Sequence, residues 1–142
     1  MTALTQHFTL VEFTASALAA RNNIDNTPPP QIVDELKRTA ELMEQIRTLL
    51  NFPITITSGY RCSAVNKLLG SKATSKHVQG LACDFRCPQF GTPMQICEAI
   101  MASTIEFDRV ILEFGSWVHI QVGTGRKSFT INSQGTFAGI RQ

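Results

Sequence analysis

The clearest pattern of apolar and polar positions runs over residues 31–50. Apolar residues recur there at helical spacing, opposite a face of acidic and basic residues: Ile32, Val33, Leu36, Ala40, Met43, Ile46, Leu49 and Leu50. Such a stripe predicts an amphipathic helix that packs on a core. Three prolines at 28–30 separate it from the preceding segment. There, Thr9 and Glu12 have capping-box spacing, which predicts a short helix fading at residues 21–23.

The second half of the chain carries most of the strand-like segments. Strands are predicted over residues 53–57, 81–85, 109–114, 117–122 and 128–131, and helices over 62–69 and 92–103. Residues 132–135, Asn-Ser-Gln-Gly, are typical of a turn. Because helices come first, strands mostly later, and βαβ alternation is missing, we predict an α+β fold with N-terminal helices packed on a mainly antiparallel sheet.

Length and composition favour a single domain over residues 1–142. The chain is 43% hydrophobic and 17% charged, and its net charge of +2 is too small to indicate nucleic-acid binding. No apolar run approaches the roughly 20 residues of a membrane span, and the start lacks the pattern of a signal peptide. The four cysteines lack zinc-finger spacing, so we expect mostly buried thiols. We therefore expect a monomer made in the cytoplasm, with no nucleic-acid partner and no membrane span.

Three polar residues stand out from their surroundings. The segment SKHVQGLACDF, residues 75–85, sets His77 and Asp84 seven positions apart, and strand alternation sends Asp84 to the face opposite its apolar neighbours. On spacing alone, a surface histidine together with a salt-bridged or turn carboxylate is the more common explanation of this pair. His119 then interrupts the alternating strand at 117–122. Two imidazoles and one carboxylate form a ligand set suited to zinc (Zn²⁺), with a fourth position left for water.

These segments resemble the zinc D-alanyl-D-alanine carboxypeptidase family, which includes many phage endolysins and shares the fold of hedgehog signalling domains. Residues 75–85 match its pattern SxHxxGxAxDF, residues 117–120 its WVHI segment and residues 58–61 its SGYR segment. The likeness spans about residues 8–122. It implies a hedgehog/D,D-peptidase-like fold and a zinc peptidase that cuts peptidoglycan stem peptides near D-alanine, with His77, Asp84 and His119 as metal ligands.

The resemblance leaves the general base open. Many relatives carry the catalytic acid three residues before the second histidine, and this chain has Ser116 there, which cannot act as a carboxylate base. The nearest carboxylates are Glu113, Asp108 and Glu106. We predict Glu113 as the base, with Asp108 or a residue outside this segment as the alternative.

Strand pairing supports Glu113. A three-residue loop over 115–117 would pair Leu112 with Ile120 and create one continuous apolar face. The same register would pair Glu113 directly with His119, at a Cβ separation of about 4.5–5.5 Å. A carboxylate there would reach a water on the metal without ligating the metal itself.

Three further residues are assigned to the substrate. Arg61 follows a strand end and a glycine turn, and its guanidinium can hold a peptide carboxylate or carbonyl at two points, so we assign it both catalytic and binding roles. Ser75 either orients a ligand by a hydrogen bond or binds substrate, and a plain loop hydroxyl is the alternative. Trp117, in the WVHI segment, completes the predicted substrate-binding set.

We interpret the chain as a zinc-dependent peptidoglycan peptidase, either a carboxypeptidase or an endopeptidase. An endolysin-type enzyme encoded by a bacteriophage or prophage would act on the cell wall after release from the cytoplasm. The alternative is a non-catalytic, zinc-stabilised module that binds wall peptides or forms part of a phage structure. A plain structural domain would not explain why the three unusually placed polar residues, His77, Asp84 and His119, lie within the motifs.

Overall fold

The computed structural model describes residues 2–142, which form five helices and a six-stranded sheet. The helices are α1 (Leu10–Thr14), α2 (Ala17–Arg21), α3 (Pro30–Leu50), α4 (Ser63–Leu68) and α5 (Pro93–Ala102). The strands are β1 (Thr55–Ser58), β2 (Ala82–Arg86), β3 (Arg109–Glu113), β4 (Trp117–Gln121), β5 (Lys127–Asn132) and β6 (Gly135–Ala138). Within this described range, no helix is both long and apolar enough to cross a membrane.

The longest helix, α3, confirms the prediction from its apolar stripe. Pro30 occupies the first turn, where its missing N–H costs nothing, and Asn51 ends the helix in the left-handed conformation with φ 63°. Leu36, Ala40 and Met43 are fully buried at helical spacing. Together with α5, this helix packs on one face of the sheet and forms the core.

The N-terminal segment forms two short helices, so the prediction of one was wrong. The capping box between Thr9 and Glu12 is present at the start of α1. Ala15 then adopts extended backbone, with ψ 132°, which ends α1. Ser16 starts α2 because its side chain accepts a hydrogen bond from the backbone N–H of Ala19.

The segment before α1 is tied to α3 through Glu44. Its carboxylate accepts hydrogen bonds from the Thr5 hydroxyl and the His7 backbone N–H, both at 2.7 Å, and its other oxygen lies 2.6 Å from His7 Nδ1. Burial opposes the charge on Glu44, but these hydrogen bonds outweigh it and lower the pKa of Glu44. The N-terminal segment is therefore held by a carboxylate that must stay ionised.

The sheet has the order β1-β2-β4-β3-β5-β6. Every neighbouring pair is antiparallel except β3 and β5, which run parallel. The predicted α+β class with a mainly antiparallel sheet is therefore confirmed. The sequence prediction ended at the turn over 132–135 and missed β6, which follows that turn and pairs with β5.

The predicted register between β3 and β4 was wrong by two residues. The loop does contain three residues, but they are Phe114, Gly115 and Ser116, so Glu113 pairs with Trp117 and not with His119. The backbone turns at Phe114 and Gly115, whose φ angles are both positive, at 54° and 63°. A tight hairpin needs positive φ angles to match the twist of its strands. Because these angles begin at Phe114, the turn starts one residue earlier than predicted.

The two faces of the sheet differ in chemistry. Cys83, Phe85, Val118 and Ile120 face the helices and are fully buried. Alternation sends the intervening residues of β2, β3 and β4 to the opposite face. That face carries the residues of the predicted metal site.

The four cysteines are free thiols, as expected. Cys83, Cys87 and Cys97 are buried and Cys62 is half-buried. Burial raises the pKa of the Cys97 thiol to about 12, with a contribution from the charge of Glu98. Cys97 therefore packs as a small apolar side chain and is not poised as a nucleophile.

Candidate metal centre

Strand pairing brings two of the three predicted ligands together. Asp84 of β2 and His119 of β4 are direct cross-strand partners, so their side chains leave the same face of the sheet at adjacent points. Asp84 Oδ1 lies 2.9 Å from His119 Nδ1. Both residues are more than nine-tenths buried, with 8% and 6% of their surface exposed.

His77 reaches the same point from the loop between α4 and β2. Its ring Nδ1–H donates a hydrogen bond to the carbonyl of Gly59 at 2.7 Å, and its backbone N–H donates to Ser75 Oγ at 3.2 Å. These contacts fix the ring with Nε2 directed at the strand residues. Nε2 lies 3.4 Å from Asp84 Oδ1 and 3.2 Å from His119 Nδ1.

The spacing of these three donor atoms fits one small cation. Ligands at 2.0–2.2 Å around a tetrahedral zinc ion are separated from one another by about 3.3–3.6 Å. The three separations here are 2.9, 3.2 and 3.4 Å. His77, Asp84 and His119 thus form a triangle of donors that a small outward shift of the side chains would fit to one face of a tetrahedron, and two imidazoles with a carboxylate are ligands that zinc accepts.

The charge on Asp84 is stabilised by its neighbours. Burial alone would raise the pKa of Asp84, but contacts with the His119 and His77 imidazoles outweigh it and lower the pKa. A carboxylate must be ionised to bind a metal, so the site holds Asp84 in the required form.

The carboxyl group of Glu113 lies beside this cluster, although the residue pairs with Trp117. Glu113 Oε1 is 3.7 Å from His119 Nδ1, on the diagonal across the two strands. Burial raises the pKa of Glu113, and the charge of Asp84 raises it further, while His119 and Arg61 act in the opposite direction. A carboxyl group with a raised pKa is better suited to exchange a proton near neutral pH.

The other positions considered for the catalytic base lie away from the cluster. Ser116, at the position where relatives carry an acid, is exposed in the β3–β4 turn, and its hydroxyl donates to the carbonyl of Phe114. Asp108 packs against Gly123 and Gly125, and Glu106 is exposed. None of the three lines the cleft in front of the predicted ligands.

A cleft of about 410 Å³ opens over the three donors. All seven residues predicted for the site line it: Arg61, Ser75, His77, Asp84, Glu113, Trp117 and His119. The cleft brings them together, and their individual roles stay predictions. Six further lining residues were not predicted: Ser71, Lys72, Thr74, Ile111, Gln121 and Ile131.

Arg61 is the cation at one side of the cleft. Burial lowers the pKa of Arg61, and the nearby charges of Asp84 and Glu113 oppose this effect. Its backbone N–H donates to the carbonyl of His77 at 3.2 Å, which ties its position to that of a predicted ligand. Among the residues that the structure describes, its buried Nε has no hydrogen-bond partner. A guanidinium N–H in this position is available to a bound carboxylate or carbonyl.

Gln121 is the unpredicted residue with the most direct link to the cluster. Its side-chain Nε2 lies 2.9 Å from His119 Nε2. The signal was present in the sequence, because Gln121 stands two positions after His119 on an alternating strand and therefore shares its face. The polar residue of β4 two positions after His119 was therefore a further candidate for the site.

Comparison with family models gives a match over most of the chain. A family model described as Peptidase M15 matches residues 6–121, a range that contains all seven predicted residues. The resemblance to the zinc D-alanyl-D-alanine carboxypeptidases is thereby confirmed. A search of curated proteins found no match.

Proposed function

Since this chain belongs to the peptidase M15 family, we propose that it is a zinc-dependent peptidase that hydrolyses peptidoglycan stem peptides. The observation that carries the proposal is the convergence of three metal-type donors, one carboxyl group and one arginine on a single cleft. A bond near D-alanine is the proposed point of cleavage. The proposed biological role is that of an endolysin-type enzyme acting on the bacterial wall.

His77, Asp84 and His119 would hold the zinc ion in this proposal. Zinc in such a site supplies Lewis-acid activation of a water molecule and of the scissile carbonyl. The fixed orientation of His77 by the Gly59 carbonyl and the direct pairing of Asp84 with His119 hold the donors in place before substrate binds.

Glu113 would act as the general base. Its carboxylate accepts a proton from the water whose oxygen attacks the scissile carbonyl, and it then delivers that proton to the departing amine as the C–N bond breaks. The support is its position, 3.7 Å from His119 Nδ1 and on the wall of the cleft. The raised pKa of Glu113 favours the first half of this transfer, because a carboxylate with a higher pKa is the stronger base toward the water.

Arg61, Ser75 and Trp117 would bind the peptide. The free N–H of Arg61 pairs with a peptide carboxylate or carbonyl, and Trp117 offers an aromatic wall beside Glu113. Ser75 has a second task, because its hydroxyl accepts the backbone N–H of His77 and shapes the loop that presents this residue. The loop that carries Ser75 and His77 would thus contribute both to substrate binding and to the placement of a metal ligand.

Digestion of purified peptidoglycan tests the proposal. The zinc-loaded protein should release muropeptides whose masses, measured by mass spectrometry, identify the bond that is cut. A chelator should abolish the release and added zinc should restore it. Zinc binding without any muropeptide release would favour the alternative, a non-catalytic module that binds wall peptides.

A conservative substitution tests the base. Glu113→Gln keeps the shape of the side chain but cannot accept the proton, so cleavage should fall by about 100- to 10,000-fold while zinc content stays at one per chain. Glu106→Gln is the matched control, because Glu106 is exposed and lies outside the cleft. Near wild-type cleavage by the Glu113 variant would assign the base to another residue.

A further inference from the structure

A second cavity, of about 290 Å³, adjoins the cleft that contains the predicted metal ligands. Arg61 and Asp84 line both spaces, so the cavity and the cleft meet at these two side chains. Most other residues of the second cavity belong to the junction of α1 and α2, to β1 and to α4. Apart from Arg61 and Asp84, none of them has a role in the proposed mechanism.

The order of the strands places the two spaces on opposite sides of Asp84. This residue lies on β2, which has β1 on one side and β4 on the other. The cleft extends over β4, β3 and β5, where it is lined by His119, Glu113 and Ile131. The second cavity extends over β1, where it is lined by Ser58, the cross-strand partner of Asp84. A peptide lying across the strands would therefore pass from one space into the other over Asp84.

The length of this path determines how much peptide it can hold. From β5 to β1 the path crosses four gaps between neighbouring strands. At about 4.8 Å for each gap, this amounts to about 19 Å. An extended peptide advances about 3.3 Å per residue, so about six residues would fill the path, whereas a dipeptide would cover about a third of it.

The lining of the second cavity suits uncharged peptide groups. It combines residues that carry hydroxyl groups, among them Ser16, Ser58 and Tyr60, with small or aliphatic residues such as Ala17. Arg61 is the one cation among the described residues that line it, and Arg61 stands where the cavity meets the cleft. A cavity built to receive only a terminal carboxylate would place a cation at its closed end.

We propose that the second cavity binds the stem peptide on one side of the scissile bond while the cleft binds it on the other, so that the bond cut is an interior one. The substrate is then a cross-linked or extended peptide, and the chain acts as an endopeptidase. Arg61 would hold a carbonyl of the continuing backbone. This inference rests on the proposed function, because it takes the donors of the cleft as the point of cleavage.

Two defined muropeptides test which bond is cut. One is a monomeric pentapeptide that ends in D-alanyl-D-alanine, and the other is a cross-linked dimer. By mass spectrometry, the zinc-loaded wild-type protein should cut the dimer at an interior bond and release no free alanine from the pentapeptide. Free alanine as the main product would show that the chain removes terminal residues and would overturn the proposal.

A bulky substitution tests the second cavity itself. Ala17 is exposed and lines the cavity, so Ala17→Trp should obstruct it. Ala20→Trp is the matched control, because Ala20 is an exposed residue of the same helix that does not line the cavity. Calorimetry on Glu113→Gln protein, which should bind the dimer without cutting it, measures the effect. Affinity for the dimer should fall by about tenfold or more with Ala17→Trp and stay unchanged with Ala20→Trp.

The outcomes separate this inference from the function on which it rests. If the zinc-loaded wild-type protein cut neither muropeptide, both would be overturned. If it cut the dimer, but Ala17→Trp and Ala20→Trp bound the dimer equally well, only the role of the second cavity would be overturned. An interior cut, together with weaker binding by Ala17→Trp alone, supports the proposal.

Discussion

Substitution of Gly59 by alanine should damage the fold and the metal site together. A Cβ at position 59 would lie 2.4 Å from the carbonyl oxygen of Phe13 and 2.8 Å from its Cα, whereas real Cβ contacts stay above 3.0 Å. The two backbones must therefore separate by at least 0.6 Å, the difference between 3.0 and 2.4 Å. Phe13 cannot yield easily, because its side chain is fully buried and its carbonyl accepts the Tyr60 N–H at 2.7 Å.

The expected losses follow from these contacts. Overpacking of this kind costs about 1–3 kcal/mol of unfolding free energy. The carbonyl of Gly59 also accepts the Nδ1–H of His77 at 2.7 Å, so its displacement misdirects a predicted metal ligand. Loss of such a supporting hydrogen bond weakens metal binding by about 10- to 100-fold.

Urea denaturation and zinc titration of Gly59→Ala measure the two losses separately. Gly70→Ala is the matched control: Gly70 has φ +71° but nothing within 4 Å of its Cβ position, so alanine there adds only backbone strain of about 1–2 kcal/mol. That control should lose stability and keep wild-type zinc affinity. If Gly59→Ala matched wild type in both measurements, the close approach to Phe13 and the support of His77 would both be refuted.

Three further substitutions have defined outcomes. Arg61→Lys keeps the charge but loses the guanidinium group that can donate two hydrogen bonds at once. We expect kcat/KM on peptidoglycan to fall by about 10- to 100-fold with zinc content unchanged. Wild-type kinetics in this variant would exclude a role for Arg61 in substrate binding. His77→Ala should lose the bound zinc by metal analysis, and undiminished zinc would remove His77 from the site. Glu44→Gln should lower stability at pH 7 by about 1 kcal/mol, since Thr5 and His7 lose a charged acceptor. Because the pKa of Glu44 is lowered on folding, its contribution is fully present above pH 4.5 and is lost as the pH falls through the folded-state pKa, so the difference between variant and wild type in urea denaturation should shrink steadily as the pH is lowered below 4.5.

Local patterns in the sequence predicted the parts of the fold that depend on neighbouring residues. The period of apolar positions identified α3, and the spacing of Thr9 and Glu12 identified the capping box of α1. The α+β class followed from the order of the elements. Strand alternation also placed Asp84 on the face away from the core, where the structure has it.

Features that depend on distant contacts were less accessible. β6 has only four residues, of which Phe137 is the one large apolar side chain, and it exists because it pairs with β5. Its sequence shows no alternation that would identify it alone. Similarly, the support of His77 by the Gly59 carbonyl joins residues 18 positions apart through a loop, and nothing in the local pattern indicates it.

The two-residue error in the β3–β4 register shows why the site was nevertheless found. Strand side chains alternate with period two, so any register that keeps the apolar face continuous differs from the true one by an even number of residues. Such a shift leaves Glu113 on the same face as His119, and only its partner changes. Diagonal neighbours across two strands remain within reach of a long side chain, and the Glu113 carboxyl spans that gap to within 3.7 Å of His119 Nδ1. Whether a strand residue belongs to the site therefore depends on the face of the sheet that it occupies. The distance between the Glu113 carboxyl and the His119 imidazole depends in addition on where the backbone turns, which is at Phe114.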